Sequence, residues 1–513
     1  MLSITRTSRR ILDKHCQLKS ISYSPRPTLS PIKLSTSCPS GKSRGLSIFE
    51  LRTVCKPRYF STWDWAVANG HHGHRGGCVH WANGHHGHRG GCDQFSSSKR
   101  LHSNVYATES TIYPSSWEAY SDIGIEEIEL APSSDRLCVT WNRTSSSSPT
   151  SFPLIWLRDN CRCPQCFDTT SFSRITSIKN MDAKLNSVYL ADNCKSINII
   201  WDDGHVSNYP ARWLRCNVFD DLEPDPLVDI QPNLWDASRC RDRMRRFNFN
   251  ELLSDDHTLH EMLLDVKVLG IALVENAPQK LGQIKKLAQK VGFLFPINYG
   301  ESFEVQQKDD ASTAAYLSCD LPLHTDAAYN SIRPGIQMLH CLQQSDQGGE
   351  SILVDGFKVA NDLRETSPDS YDVLTKQVLE FYDRGTDSLG EFFNISRNHV
   401  IRLNEKNEVA QITFTEHGRS AIARMHADDV ISTYKALMAF IDLLYAPENV
   451  FEYKMENGDI LIMDNYRVLH GRKGFTNRPG SFRHLEGGYL DWDTVSSKIR
   501  ILKKKLDAKE QYN

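Results

Sequence analysis

No run of about 18 apolar residues occurs in this chain of 513 residues, so no membrane-spanning helix is expected. Acidic residues are almost missing from its start. Residues 1–62 hold only Asp13 and Glu50 against 12 Lys and Arg, a net charge of +10. A leader rich in Arg and Ser and poor in acids is the composition of a mitochondrial transit segment, and Arg58-Tyr-Phe-Ser61 looks like a matrix-protease cleavage site. The plain alternative is a basic tail without an address on a cytoplasmic protein. The chain as a whole carries −3, so the body after the leader carries −13. It lacks the basic excess that phosphate binding needs, which argues against a nucleic-acid partner.

Composition is otherwise that of a globular protein, 40% hydrophobic and 24% charged, and the length suits two or three domains. Residues 63–122 break that pattern. Ala68-Asn-Gly-His-His-Gly-His-Arg-Gly-Gly-Cys78 recurs at Ala82–Cys92, with a 14-residue period. Such a stretch can bind Zn, Cu or Ni, but its composition fits better a small duplication in a Gly-rich linker with no core.

Fourteen cysteines are many for an intracellular chain. Three crowd into Cys161-Arg-Cys163-Pro-Gln-Cys166, and the others are scattered, as reduced thiols would be. His205, in the hairpin that begins at Ser196, offers a fourth ligand. A closed Cys3His set suits structural Zn(II), with a free-thiol or redox cluster as the alternative. Strand-like segments around it, such as Arg136–Trp141, predict a small zinc-binding β domain over residues 123–222. A linker around Glu223-Pro-Asp-Pro226 follows. Residues 232–513 then form a larger domain that is mainly β with some α. A helix is expected from Asp255-Asp256 to about Asp265, a strand over Val268–Val274 and a helix over Gln279–Val291. Short strands such as Ile336–His340, Ser351–Val354 and Asp459–Met463 predict a sandwich or jelly roll. Helical insertions are expected at Ala360–Arg364 and Asp428–Tyr445. Thr494–Asp507 reads as a basic helix with Val495, Ile499 and Leu502 on one side, for its own core or for a homodimer.

The larger domain is organised around Leu323-His324-Thr325-Asp326 and a distant His470. A His and an Asp two apart on an extended segment point the same way. With a second imidazole they form the facial triad of non-haem Fe(II) oxygenases, which leaves three positions open. His-x-Asp alone arises often by chance. Arg483 adds specificity, because its planar fork can clamp the far carboxylate of a dicarboxylate that chelates the iron.

From about Leu130 to Leu506 the chain resembles the γ-butyrobetaine and trimethyllysine dioxygenases, within the taurine-dioxygenase-like Fe(II)/2-oxoglutarate oxygenases. The resemblance is carried by Trp156–Cys166, His324-Thr-Asp326, Pro334-Gly-Ile-Gln, Leu339-His-Cys-Leu342, Gly348-Gly, Val354-Asp-Gly-Phe357, Asp464-Asn, Leu469-His-Gly-Arg472 and Arg483–Tyr489. It implies a double-stranded β-helix catalytic domain with Fe(II) on His324, Asp326 and His470 and 2-oxoglutarate on Arg483. Structural Zn(II) on Cys161, Cys163, Cys166 and His205 is implied too, with O2 as cosubstrate and ascorbate as a family cofactor. In this family decarboxylation of 2-oxoglutarate to succinate drives hydroxylation of an unactivated C–H bond. The family also holds a trimethylammonium group in an aromatic cage, here matched by Tyr299, Phe303, Tyr316 and Tyr489, since a quaternary ammonium donates no hydrogen bond.

Two positions depart from the γ-butyrobetaine pattern: Ala327 and Thr313 stand where an aromatic and an Asn are expected. Asp326-Ala-Ala-Tyr329 is spaced like the trimethyllysine enzyme, whereas Arg483–Asp493 is closer to the γ-butyrobetaine enzyme. The reading is hydroxylation of γ-butyrobetaine to L-carnitine. Hydroxylation of trimethyllysine to 3-hydroxy-trimethyllysine is the first alternative. A catalytically silent zinc-binding partner protein is the second.

Overall fold

A computed structural model describes residues 120, 122–142, 148–219, 227, 230–307 and 314–510. The basic leader, the His/Gly-rich repeat, the Pro-containing linker and Thr313 lie outside the described residues.

The first body is two antiparallel meanders. Strands β1 (Ile125–Leu130), β2 (Arg136–Trp141) and β3 (Thr150–Pro153) form one, and α1 (Leu154–Asp159) follows. Strands β4 (Leu185–Ala191), β5 (Ser196–Trp201) and β6 (Val206–Pro210) form the other. Period-two alternation sends Leu137, Val139 and Trp141 from β2 and Ile197, Ile199 and Trp201 from β5 into a core with Phe152, Leu157 and Tyr209.

The second body is a jelly roll of two sheets. Its strands are β7 (Arg246–Asn248), β8 (Ile271–Glu275), β9 (Ser302–Gln306), β10 (Leu321–His324), β11 (Ile336–Gln343) and β12 (Ser351–Asp355). A long hairpin, β13 (Val378–Asp387) and β14 (Gly390–His399), precedes β15 (Phe451–Tyr453), β16 (Ile460–Asp464), β17 (Val468–Arg472) and β18 (His484–Leu490). The larger sheet runs β9-β18-β11-β16-β8-β7 and the smaller β10-β17-β12-β15.

Alternation sorts the larger sheet into two faces. Ile460 and Ile462 of β16, with Ala272 and Val274 of β8, pack outward. There they meet the helices α2 (Asp256–Leu269), α3 (Gln283–Val291) and α6 (Trp492–Glu510). Leu461, Met463, Ile271 and Leu273 pack inward, against Leu353 and Val468 of the smaller sheet. On the smaller sheet Leu323, Val354 and Leu469 face outward, against α4 (Gly356–Thr366) and α5 (Ala427–Leu444). Because Leu323 and Leu469 turn outward, their neighbours His324 and His470 turn inward.

Two sequence expectations need correction. The apolar run Val268–Val274 is not one strand. α2 continues to Leu269, and Gly270 caps it at φ +79, so the strand begins at Ile271. Val266 and Leu269 are the last buried turn of that helix, which an apolar run alone does not distinguish from a strand. α3 begins at Gln283 instead of Gln279, because Gly282 takes φ +88 and Leu281 stays 49% exposed. The apolar side of α6 is covered within the chain: Val495, Ile499 and Leu502 are buried with α2 and α3.

Candidate active site

Antiparallel pairing of β10 with β17 puts His324 directly opposite His470. Asp326 lies just past the end of β10, where its backbone is clamped. Its N–H donates to Asn465 Oδ1 at 2.7 Å, and Asn465 Nδ2 donates to the carbonyls of Asp326 and Pro334. The next residue, Ala327, takes φ +54. A left-handed alanine is strained, and here it turns the chain away directly after the carboxylate.

The two carboxylate oxygens of Asp326 have different tasks. Oδ1 lies 3.3 Å from His324 Nε2 and 3.7 Å from His470 Nε2. Oδ2 accepts the Tyr489 hydroxyl at 2.8 Å and the Gln337 amide. Both donors stand on inward positions of the larger sheet. His324 Nδ1 contacts the Pro322 carbonyl at 2.8 Å. Nδ1 must donate there, which leaves the Nε2 lone pair free toward Oδ1 and His470. Burial pushes the His470 imidazole down to about 3, with the facing His324 adding to it. Neutral imidazole is the form that binds metals. Burial alone would raise the Asp326 carboxyl, but His470, His324 and the Tyr489 hydroxyl hold it well below the ordinary range. One nitrogen from each His and one Asp oxygen lie within 4.8 Å of one another, a set that fits one divalent cation.

These three side chains line a cavity of 370 Å³. Arg483, immediately before β18, lines it as well. Its Nε donates to Gln344 Oε1 at 3.3 Å, and its guanidinium lies 5.6 Å from the Phe475 ring centre. Burial lowers its pKa to about 10, so it stays charged at neutral pH. Tyr299, Phe303, Tyr316 and Tyr489 line the same space. Phe303 stacks on Tyr489 at 5.5 Å. Gly487 permits this, since a Cβ there would sit 2.3 Å from the Phe303 ring.

All eight residues picked from the sequence for this site are thus brought together. The structure adds Gln337 and Asn465, which hold Asp326, and His417, whose ring centre is 5.1 Å from that of His324. Pro334-Gly-Ile-Gln and Asp464-Asn are visible as motifs, but nothing local says where their amides point. Tyr489 spends its hydroxyl on Asp326, so it orients that carboxylate as well as walling the cavity.

In the first body, His205 Nε2 lies 3.3, 3.5 and 3.6 Å from the sulfurs of Cys161, Cys163 and Cys166. A tetrahedral Zn(II) with ordinary Zn–S and Zn–N bonds would separate S from N by about 3.6 Å. Arg158, buried beside the cluster, donates to Cys166 Sγ at 3.4 Å and to Asp203 at 3.3 Å. A hydrogen bond from Cys161 and then Arg158 bring the Cys166 thiol down to about 4, against the cost of burial. The four atoms form a set that could hold a metal ion.

Residues 229–489 match the family described as taurine catabolism dioxygenase TauD, TfdA. Residues 128–215 match the family described as gamma-butyrobetaine hydroxylase-like, N-terminal. The protein is therefore a 2-oxoglutarate-dependent dioxygenase, of a class whose chemistry uses Fe(II) and O2. Among similar proteins, γ-butyrobetaine dioxygenase of Homo sapiens is 33% identical over 361 residues, covering 69% of this chain and 92% of that protein. γ-Butyrobetaine dioxygenase of Pseudomonas sp. (strain AK-1) is 31% identical, covering 71% and 93%. The mitochondrial trimethyllysine dioxygenase of Rattus norvegicus is 30% identical, covering 68% and 82%. The chain belongs to the γ-butyrobetaine and trimethyllysine dioxygenase family.

Proposed function

We propose that this enzyme hydroxylates γ-butyrobetaine to L-carnitine, with Fe(II) on His324, Asp326 and His470 and 2-oxoglutarate clamped by Arg483. The observation that carries this is one cavity holding the triad, a buried Arg and aromatic walls together. Trimethyllysine is the second reading, favoured by the spacing of Asp326-Ala-Ala-Tyr329. The Arg483–Asp493 pattern and the γ-butyrobetaine relatives support the first. A catalytically silent protein would have no use for the intact triad and Arg483.

Bound there, Fe(II) with 2-oxoglutarate and O2 supplies the oxidising power, leaving succinate and CO2. The chain's own residues supply position. Asp326 and the two imidazoles occupy one side of the metal position. Gln337 and Tyr489 fix the carboxylate so that only Oδ1 is free to ligate. Arg483 holds the far carboxylate of 2-oxoglutarate. Tyr299, Phe303, Tyr316 and Tyr489 present ring faces to the trimethylammonium group and exclude water from it.

The reading extends to residues 123–222 as a domain stapled by Zn(II) on Cys161, Cys163, Cys166 and His205, and to 232–513 as the catalytic domain. Residues 1–62 act as a transit segment to the mitochondrial matrix, and 63–122 as a linker. The word "mitochondrial" in the names of trimethyllysine relatives supports the address. Ascorbate is carried over from the family as a reductant that maintains Fe(II). The covered face of α6 favours its role in the core over a homodimer contact.

Succinate release from 2-oxoglutarate, assayed with each trimethylammonium substrate, tests the reading. Turnover with γ-butyrobetaine is expected; no turnover with either by the iron-loaded enzyme would overturn it. Tyr489→Phe removes one of two donors to Asp326 Oδ2, and Fe(II) affinity should fall by about 10- to 100-fold. Titration of the metal, monitored by restored turnover, reads this directly. Tyr316→Leu keeps apolar volume but removes the negative ring face. The betaine KM should rise roughly 2- to 30-fold, with little change for 2-oxoglutarate. A lowered melting temperature with an unchanged betaine KM would make Tyr316 an ordinary core residue.

A further inference from the structure

The hairpin β13–β14 contributes Tyr382, Asp383 and Arg384 to the walls of the catalytic cavity. Asp383 is the residue of interest. Its Oδ2 accepts the hydroxyl of Tyr299 at 2.9 Å, and the Tyr329 hydroxyl and the Arg384 backbone N–H are donors close enough to favour its charged form. These described donors are all neutral. The cations that share the cavity are engaged elsewhere. Arg472 donates to the carbonyls of Ala315, Leu317 and Cys319. Arg384 lies over the Phe393 ring at 5.6 Å. Arg483 is taken by Gln344 and, on the reading above, by 2-oxoglutarate.

The cavity therefore holds a carboxylate whose described partners are phenols and a peptide N–H, beside a wall of aromatic rings. Burial raises its pKa, as expected for a carboxylate that no cation compensates. A hydrogen-bonding cation such as an ammonium or guanidinium would compete with the two phenols for its lone pairs. A quaternary ammonium would not, because it has no N–H to donate. It needs only negative potential and apolar contact, and Asp383 with the faces of Tyr299 and Phe303 provides both. Tyr299 and Phe303 lie 6.3 Å apart and tilted, so they form two adjoining walls.

We propose that Asp383 is the counter-charge for the substrate's trimethylammonium group and sets the preference for a cationic over a neutral end. This rests on the substrate reading given above. A role confined to orienting Tyr299 would instead affect charged and uncharged ligands alike.

The test compares γ-butyrobetaine with its carbon isostere, in which a tert-butyl group replaces trimethylammonium. The readouts are the betaine KM, the inhibition constant of the isostere and the KM for 2-oxoglutarate, all on the full-length, iron-loaded enzyme. Asp383→Asn keeps the volume and an acceptor for a phenol. It should raise the betaine KM by at least roughly tenfold and leave the other two constants within about twofold. Asp383→Glu, which keeps the charge, should retain most of the preference for the cation and guards against a misfolded Asn variant. Betaine and isostere constants that move together in Asp383→Asn would overturn the inference, as would a betaine KM that does not move. A wild-type enzyme that turned over neither trimethylammonium substrate would overturn the substrate reading and this inference with it. Wild-type turnover combined with undiminished discrimination in Asp383→Asn would overturn this inference alone.

Discussion

Asp326→Ala is expected to reduce hydroxylation to background while leaving the metal-free fold nearly unchanged. Oδ1 is the only oxygen that faces both imidazoles, and no second carboxylate shares that position among the described residues. Losing a group that merely orients a ligand costs about 10- to 100-fold in affinity or activity. Losing the ligand itself should cost more than about 100-fold. The fold should tolerate the change because the chain itself is clamped through its backbone, and only Gln337 and Tyr489, which line the cavity, lose the carboxylate. The bonds between Asp326 and Asn465 use the N–H and C=O of residue 326, which alanine keeps. Neither His324 nor its bond to Pro322 depends on the carboxylate. The melting temperature without metal should stay within roughly 4 °C, the shift produced by about 1 kcal/mol in a domain of this size. Succinate formation and calorimetry on the same preparation separate the two effects. Activity above a tenth of wild type would remove Asp326 from the metal.

Cys163→Ser should do the reverse, lowering stability sharply through a site far from the chemistry in role. Binding of structural zinc is largely folding free energy, and the first body offers the ion three sulfurs and one nitrogen at tetrahedral separations. The loss also reaches Arg158, which is buried against this cluster and donates to Cys166. Without zinc the sulfurs lose the cation that draws them together, and the arrangement that presents Cys166 to the guanidinium loosens. A loss on the order of 3 kcal/mol is expected, which corresponds to a fall of roughly 12–24 °C for the unfolding of a body of this size. Zinc content by atomic absorption should drop to less than about half an equivalent. An unchanged zinc content and an unchanged transition would refute the structural-zinc assignment.

Much of the site was legible because β geometry has a fixed period. An Asp two residues after a His on an extended segment must share its side, and an apolar neighbour such as Leu323 or Leu469 marks the opposite one. The three cysteines were legible because their spacing is local, whereas His205, 44 residues after Cys161, was offered by a hairpin and joined to them by the family resemblance. What stayed hidden is what the tertiary fold decides. Gln337 and Tyr489 reach Asp326 from the other sheet, and no local pattern reports a partner across a cavity. Asp383 sits in a hairpin that shows no motif at all. Val268–Leu269 misled for a different reason. Apolar residues that end a buried helix and apolar residues that start a buried strand look alike, and only the left-handed Gly270 separates them.

The pairing of His324 with His470 has a consequence for which changes of chain length this fold can accept. A residue inserted into or deleted from β17 ahead of His470 would rotate everything after it by half a pleat. Leu469 and His470 would exchange places, putting an imidazole among the helices α4 and α5 and an isobutyl group where the metal should bind. The same length change in the turn of β13–β14, at Ser388 and Leu389, would move no ligand. Variation in length should therefore be sparse within β10 and β17 and frequent at hairpin tips. A library of single-residue deletions, scored for succinate release, would draw that boundary residue by residue.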